Sequence, residues 1–334
     1  MTLFFDGEFI EKNVSLDIAM RAMEDCFEAE AAGKTQLPPR IDTPSGRGFI
    51  RVMPAVLDDV MGLKVMTLVE GLGNHYLVML YDVATGGLLA LFDADELTRL
   101  RTAAVTVLAG VAMVSAPPTT LGLIGSGFEA VGHLRMCAHV WPLERVAVFS
   151  PNAERCARFA AVMSRELGIE VVAAASAADA LRDQPVVVLA TKAKQPVIDG
   201  TQLAAGTVVL SIGSTRLDLR ELDQPAVARA SLIVADDPQM IQLESADIAE
   251  SIAAGILDPG QIVALSALRG GGRPATTKRS GDLTIFKSVG TALQDLALAR
   301  MLYRDDATRR GASELEELTR LKPFSAKAFA DVTS

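Results

Sequence analysis

Thr119-Thr120-Leu121-Gly122-Leu123-Ile124-Gly125-Ser126-Gly127-Phe128-Glu129-Ala130-Val131-Gly132-His133-Leu134 is the stretch whose reading decides the fold. Residues 120–124 form a short apolar strand, and Ala130, Val131, Leu134, Met136 and Cys137 recur at helical spacing beyond the glycines. Strand, tight turn and helix are the context in which G-x-G-x-x-A signifies a dinucleotide site. Gly125 permits the turn, Gly127 lets the backbone approach a pyrophosphate, and Ala130 allows close helix-on-strand packing. Gly125, Ser126, Gly127 and Phe128 are therefore candidate cofactor residues. The free N–H groups of the helix N-terminus favour phosphate.

Downstream of that turn, strands and helices alternate. Strand 145–149 leads to helix 152–167, strand 170–173 to helix 176–182, and apolar runs follow at 185–190, 207–212 and 232–234. Continuous apolar runs are the mark of parallel strands buried on both faces. The expected architecture is α/β, a doubly wound parallel (Rossmann) sheet over residues 118–304. A classical NAD site ends its second strand with an acid that grips the ribose 2′-hydroxyl. Here Phe149 is followed by Ser150-Pro151-Asn152-Ala153-Glu154-Arg155. Ser150, Asn152 and Arg155 suit a 2′-phosphate, so NADP(H) is favoured over NAD(H). In the alternative reading Ser150 caps the helix, Arg155 is solvated and Glu154 takes the ribose.

Upstream the texture differs. A helix is expected over 14–32, with Ser15 as N-cap. Leu37-Pro38-Pro39-Arg40 breaks it, and strand-like pieces follow at 48–53, 62–69, 76–82 and 88–92 without intervening helices. Such a succession predicts a largely antiparallel sheet. Asp93 or Asp95 starts a helix carrying Leu97, Leu100, Val105 and Leu108, and Pro117-Pro118 marks the junction. This smaller α+β unit is expected to span 1–117 and to be joined by 305–334. A glycine-rich basic loop (269–281) and an amphipathic helix from about Thr291 to Arg304 precede that last segment.

Composition narrows the function classes. The 334 residues are 50% hydrophobic and 22% charged, with net charge −9, which argues against nucleic acid as a general partner. Cys26, Cys137 and Cys156 show neither metal spacing nor an even disulfide count, and no metal site is expected. No secretory pattern opens the chain and no apolar run is long enough to span a bilayer, so the expectation is a cytoplasmic protein without a membrane partner.

Three basic residues stand in settings that surface charges rarely occupy. Arg40 follows two prolines, Lys64 lies within Met61-Gly62-Leu63-Lys64-Val65-Met66, and Arg101 lies within Leu97-Thr98-Arg99-Leu100-Arg101-Thr102-Ala103-Ala104. A cation among apolar neighbours meets either a carboxylate of the protein or one on a ligand. Snorkelling of Lys64 and an Arg101–Asp95 pair are the structural alternatives, and composition does not separate them from a ligand site. Asp295 is either a cation's partner or helix surface.

Taken together, these segments resemble the ornithine cyclodeaminase/mu-crystallin family. The resemblance spans nearly the whole chain and rests on Pro39-Arg40, Gly62-Leu63-Lys64, Arg101-Thr102-Ala103-Ala104, Gly125-Ser126-Gly127, the run from Gly213 to Leu222, and Phe286-Lys287-Ser288-Val289-Gly290. It implies that the first domain binds substrate and builds a homodimer. It also implies that Arg40, Lys64 and Arg101 hold a substrate carboxylate beside the nicotinamide, and that Thr191 and Ser288 complete the cofactor residues. The chain departs from the cyclodeaminase branch at two positions. Thr215 stands where that branch has a catalytic aspartate, and Arg51 where it has a glutamate. Without those carboxylates the chain is closer to the ketimine reductase type. The expected activity is NAD(P)H-dependent reduction of a small cyclic imino acid, Δ1-pyrroline-2-carboxylate or Δ1-piperideine-2-carboxylate, with Lys64, Arg101 and Thr215 at the reacting atoms. The alternatives are an ornithine cyclodeaminase or related amino-acid dehydrogenase, and a non-catalytic protein that holds NADP(H) or a small ligand.

Overall fold

A computed structural model describes residues 2–269, 281–316 and 318 of the chain. The sequence readings for most of the 269–281 loop and for the end of the 305–334 segment lie outside these residues.

In chain order the first half runs β1 (Thr2–Phe5), α1 (Gly7–Asn13), α2 (Leu16–Ala31), β2 (Thr35–Gln36), β3 (Ile41–Ser45), β4 (Gly48–Leu57), β5 (Val60–Val69), β6 (Gly73–Asp82), β7 (Leu88–Asp93) and α3 (Asp95–Met113). There follow β8 (Thr120–Ile124), α4 (Phe128–Val140), β9 (Arg145–Phe149), α5 (Ala153–Leu167), β10 (Glu170–Ala173), α6 (Ala177–Leu181), β11 (Val186–Leu189) and β12 (Val208–Ser211). The remainder is α7 (Gln224–Arg229), β13 (Ala230–Ala235), α8 (Pro238–Glu244), α9 (Ala246–Ala253), β14 (Ile262–Ala264), α10 (Leu265–Arg269), β15 (Leu283–Lys287), α11 (Ala292–Arg304), α12 (Asp306–Gly311) and β16 (Ser313–Leu315).

Two eight-stranded sheets organise these elements. The second, ordered β10-β9-β8-β11-β12-β15-β13-β14, is parallel throughout its described pairings. This is the doubly wound sheet the apolar runs foretold. The chain reverses direction across the sheet between β8 and β11, the switch point at which such folds bind ligands. The first sheet is ordered β16-β1-β7-β6-β5-β4-β2, with β3 against β4. Strands β3 to β7 pair antiparallel as expected, whereas β1 joins β7 in parallel. The alternation in β4, β5 and β6 extends further than the sequence reading, because each strand is long and buries only one face.

Helix α3 lies between the two sheets and packs against α2, α4 and α11. Its residues from Glu96 to Gly110 are all buried, although several are polar. Thr98, Thr102 and Thr106, at successive four-residue steps, donate their hydroxyls to the carbonyls of Ala94, Thr98 and Thr102 at 2.5, 2.6 and 2.7 Å. Each hydroxyl is satisfied within the helix, so this face can be buried without a desolvation penalty. Ser15 caps α2 through Ile18 N, as read from the sequence. Asn152, not Ser150, caps α5. The short helices α7 and α8 escaped the sequence reading, although Asp223 and Asp237 cap them and proline stands in their first turns.

The outer face of the first sheet is apolar. Ile50, Val52 and Val56 of β4, Leu63 and Val65 of β5, and Leu77 and Met79 of β6 alternate with inward residues and are exposed or half-buried. Helix α11 covers the opposite face.

Candidate active site

The glycine turn opens the second sheet's switch point. Gly125 has φ +123°, and a Cβ there would stand 2.4 Å from the Ala190 carbonyl oxygen. Only glycine meets both demands. Gly127 faces open space within 4 Å of its Cβ direction, and the Ser126 hydroxyl is buried without a hydrogen-bond partner among the described residues. An open cradle, an orphan hydroxyl and the α4 N-terminus together fit a dinucleotide's phosphates.

At the same edge lies a cavity of about 410 Å³. Arg40 comes from the β2–β3 connection, Lys64 from β5, Arg101 from α3, Thr215 from the segment after β12 and Ser288 from the segment after β15. All five line this cavity. Gly125, Ser126, Gly127, Phe128, Ser150, Asn152, Arg155 and Thr191 are outside its lining, along the carboxyl ends of β8, β9 and β11.

One buried carboxylate orders the cations. Asp295 on α11 accepts from Lys64 Nζ at 2.9 Å and from Arg101 Nε at 3.1 Å through the same oxygen. The Arg101–Asp95 pairing considered from sequence is replaced by this one. Lys64 also donates to Thr98 Oγ1 at 2.7 Å and lies 4.7 Å from the centre of the Tyr76 ring. Burial pushes the Lys64 amine down to about 8, with Asp295 opposing and Arg101 reinforcing the shift. Arg101 Nη1 donates to Gln294 at 2.7 Å, while no bond of Nη2 is found among the described residues. Gly290, at φ +74°, passes so close that a Cβ would meet Arg101 Nη1 at 2.8 Å.

The segment 288–290 is held from below by Asp236. That carboxylate accepts from Ser288 Oγ at 2.6 Å, Gly290 N at 2.8 Å, Val289 N at 3.2 Å and Gln294 Nε2 at 3.1 Å. Gln294 thus links the loop to Arg101. Arg40 forms a two-bond pair with Glu244 at the end of α8. Arg51 also lines the cavity, joined to Asp42 by two bonds of 2.6 Å. At the end of β11, Thr191 donates its N–H (2.7 Å) and hydroxyl (2.9 Å) to Glu221, whose other oxygen accepts from Ser211 and Gly213 N, both at 2.8 Å. Glu221 is fully buried, and Lys287 bonds Ser211 at 2.9 Å beside Asp247. No local sequence signal marks Glu221, Asp236, Glu244 or Lys287 as partners, since each acts on groups that only the fold brings near.

At the second strand's end, Ser150 is buried and Asn152 spends its side-chain oxygen on Arg155 N at 2.8 Å. The Arg155 side chain is exposed, and Glu154 is engaged by Arg158 at 2.9 Å. His133 is buried between Thr106 and the Glu129 carbonyl, and burial lowers its pKa. His139 pairs with Asp17 at the surface. Among the described residues no group of three or more His, Cys, Asp or Glu could hold a metal, and no helix is long and apolar enough to cross a membrane.

A parallel sheet with a glycine turn at its switch point, beside a cation-lined cavity to which the first sheet contributes, defines a dinucleotide-binding fold. The model of the ornithine cyclodeaminase/mu-crystallin family matches residues 3–310, and the chain belongs to that family. It is 28% identical over 317 residues to a Delta(1)-pyrroline-2-carboxylate reductase of Bacillus cereus, covering 92% of this chain and 96% of the relative. A solved structure described as a probable ornithine cyclodeaminase from Bordetella pertussis Tohama I superposes with TM-score 0.86 at 32% identity, covering 94% of this chain and 99% of that one. The Thermococcus litoralis Delta(1)-pyrroline-2-carboxylate reductase, solved with NADH and L-proline, superposes with TM-score 0.86 at 29% identity, covering 94% and 100%.

Proposed function

We propose that this protein is an NAD(P)H-dependent reductase of small cyclic imino acids of the Δ1-pyrroline-2-carboxylate or Δ1-piperideine-2-carboxylate type. The observation that carries the reading is the gathering of Arg40, Lys64 and Arg101 on one cavity at the mouth of the dinucleotide turn. The Bacillus and Thermococcus relatives support the same substrate class.

The bound cofactor supplies the hydride; the chain's residues bind and orient the acceptor. Arg101 offers its uncommitted Nη2 to the substrate carboxylate, and Lys64 adds its charge from the other side of Asp295. Arg40 completes the clamp in competition with Glu244, which already holds its guanidinium. Held this way, the C=N carbon faces the nicotinamide, and positioning of this kind removes on the order of 7 kcal/mol or more from a barrier. Thr215 stands on the nucleotide side of the cavity, where its hydroxyl hydrogen-bonds the imine nitrogen or a water that protonates it.

Further parts of the reading concern cofactor choice and assembly. NADP(H) is preferred in this reading, because Glu154 is engaged by Arg158 while Ser150, Asn152 and Arg155, which suit a 2′-phosphate, follow the second strand of the nucleotide sheet. Residues 1–117 with 305–334 act as the substrate-binding and dimerisation unit, and 118–304 as the dinucleotide unit. The homodimer forms through the apolar outer face of the first sheet, and the protein works in the cytoplasm.

The test is a panel of both imino acids with NADPH and NADH in parallel, alongside ornithine with ammonia as the readout. Oxidation of NADPH by an imine is the expected result. Ammonia release from ornithine without net cofactor change would replace the reading by the lyase. Cofactor binding without turnover of any substrate would replace it by a binding protein.

A further inference from the structure

Among the described residues the cavity is lined by many cations and by one acid. Arg40, Arg51, Lys64 and Arg101 each carry a carboxylate of the protein's own, namely Glu244, Asp42 and Asp295. Lys192 and Lys194 add further positive charge from the segment after β11. Glu129, in the first turn of α4, is the only acidic residue among the described lining residues. It forms no ion pair among the described residues, and its Oε2 is buried without a hydrogen-bond partner. An acid in a helix's first turn favours the dipole wherever its side chain points. That explanation does not account for an unpaired carboxylate on the wall of a cation-lined cavity, where it acts across the space on Lys64 and Tyr76. A carboxylate without a protein cation, set among cavity cations that have carboxylates of their own, calls for a positive charge on the ligand.

We propose that Glu129 is the counter-charge for the protonated nitrogen of the bound imino acid. The inference rests on the reductase reading and narrows its substrate class to imines that react as iminium ions. The iminium carbon takes up the hydride with its electron pair from the reduced nicotinamide, which is thereby oxidised. The π pair of the C=N bond becomes the nitrogen lone pair, and the N–H proton stays where it was. The product amine then takes a second proton from solvent and remains an ammonium partner for Glu129. A carboxylate at this position offsets the repulsion that the surrounding cations exert on an iminium. It also disfavours the corresponding 2-oxo acid, which brings no positive nitrogen.

The experiment compares two ligands that share a carboxylate and differ in the nitrogen, L-proline and cyclopentanecarboxylate. Binding of each to the cofactor-loaded protein is measured by calorimetry in the wild type, Glu129→Gln and Glu129→Asp. The wild type is expected to prefer L-proline. Glu129→Gln is expected to lose about tenfold or more of that preference, with cyclopentanecarboxylate and NADPH bound at least as tightly as in the wild type. Glu129→Asp, which keeps the charge, is expected to retain part of the preference. An unchanged ratio in Glu129→Gln, in a protein whose wild type reduces the imine, overturns this inference alone. A wild type that neither reduces an imine nor binds L-proline removes both the inference and the reductase reading.

Discussion

Lys64 Nζ and Asp295 Oδ1 stand 2.9 Å apart, both side chains almost wholly removed from solvent, and the same oxygen lies 3.1 Å from Arg101 Nε. One carboxylate therefore anchors two cations, leaving the triad with a net positive charge directed at the cavity. Asp295→Asn removes that anchor and leaves both cations buried against each other. The expected cost is about 3–5 kcal/mol of folding stability, since breaking a buried pair strands its partner. Equilibrium denaturation measures it, and a loss below about 1 kcal/mol would contradict the buried-triad account.

The depressed Lys64 amine predicts opposite pH trends for stability and binding. Its folded-state value of about 8 lies below the ordinary lysine value of 10.5. Between those limits the unfolded chain binds more protons, so this group's contribution to stability rises as pH climbs through the window. Carboxylate binding moves the other way, because the ammonium is lost above about pH 8. Cyclopentanecarboxylate affinity should fall as pH passes that value, and Lys64→Met should abolish the dependence. A flat profile in the wild type would assign the anion site to the arginines alone.

Replacement of Arg155 tests cofactor choice. Its side chain is exposed at the end of β9. Arg155→Ala should weaken NADPH roughly tenfold while leaving NADH within about twofold, as expected for one charge-assisted contact discounted for solvent screening. Equal losses for both cofactors would show that the residue does not read the 2′-phosphate.

Gly125→Ala places a Cβ on Ala190 O in a backbone region that favours glycine. The substitution should cost more than about 2 kcal/mol of stability and abolish dinucleotide binding. Retention of NADPH affinity near the wild-type value would mean that the turn does not carry the phosphates.

The apolar sheet face predicts a dimer that a single charge disrupts. Leu63→Asp, on the outer face of β5, should shift the protein to monomer in sedimentation equilibrium at micromolar concentration. Persistence of the same assembly would place the interface elsewhere.

What the sequence by itself determined is local. The parallel sheet follows from apolar runs of strand length separated by helical periods, the dinucleotide turn from two glycines between strand and helix, and the suspicion around Arg40, Lys64 and Arg101 from charge set in apolar surroundings. Each of these signals is contained within a short stretch of chain, so it can be read in one dimension. The tertiary structure alone decided the partners. Asp295 meets Arg101 across 194 residues of chain, and Glu244 meets Arg40 across 204. Glu129, read in the sequence only as a member of the glycine fingerprint, is seen as the one acid among the cavity's described lining residues once the first sheet is folded over it. The physical reason is that a hydrogen bond or ion pair depends on distance in space, and the periodicities of helix and strand report which face a residue takes but not what stands opposite it.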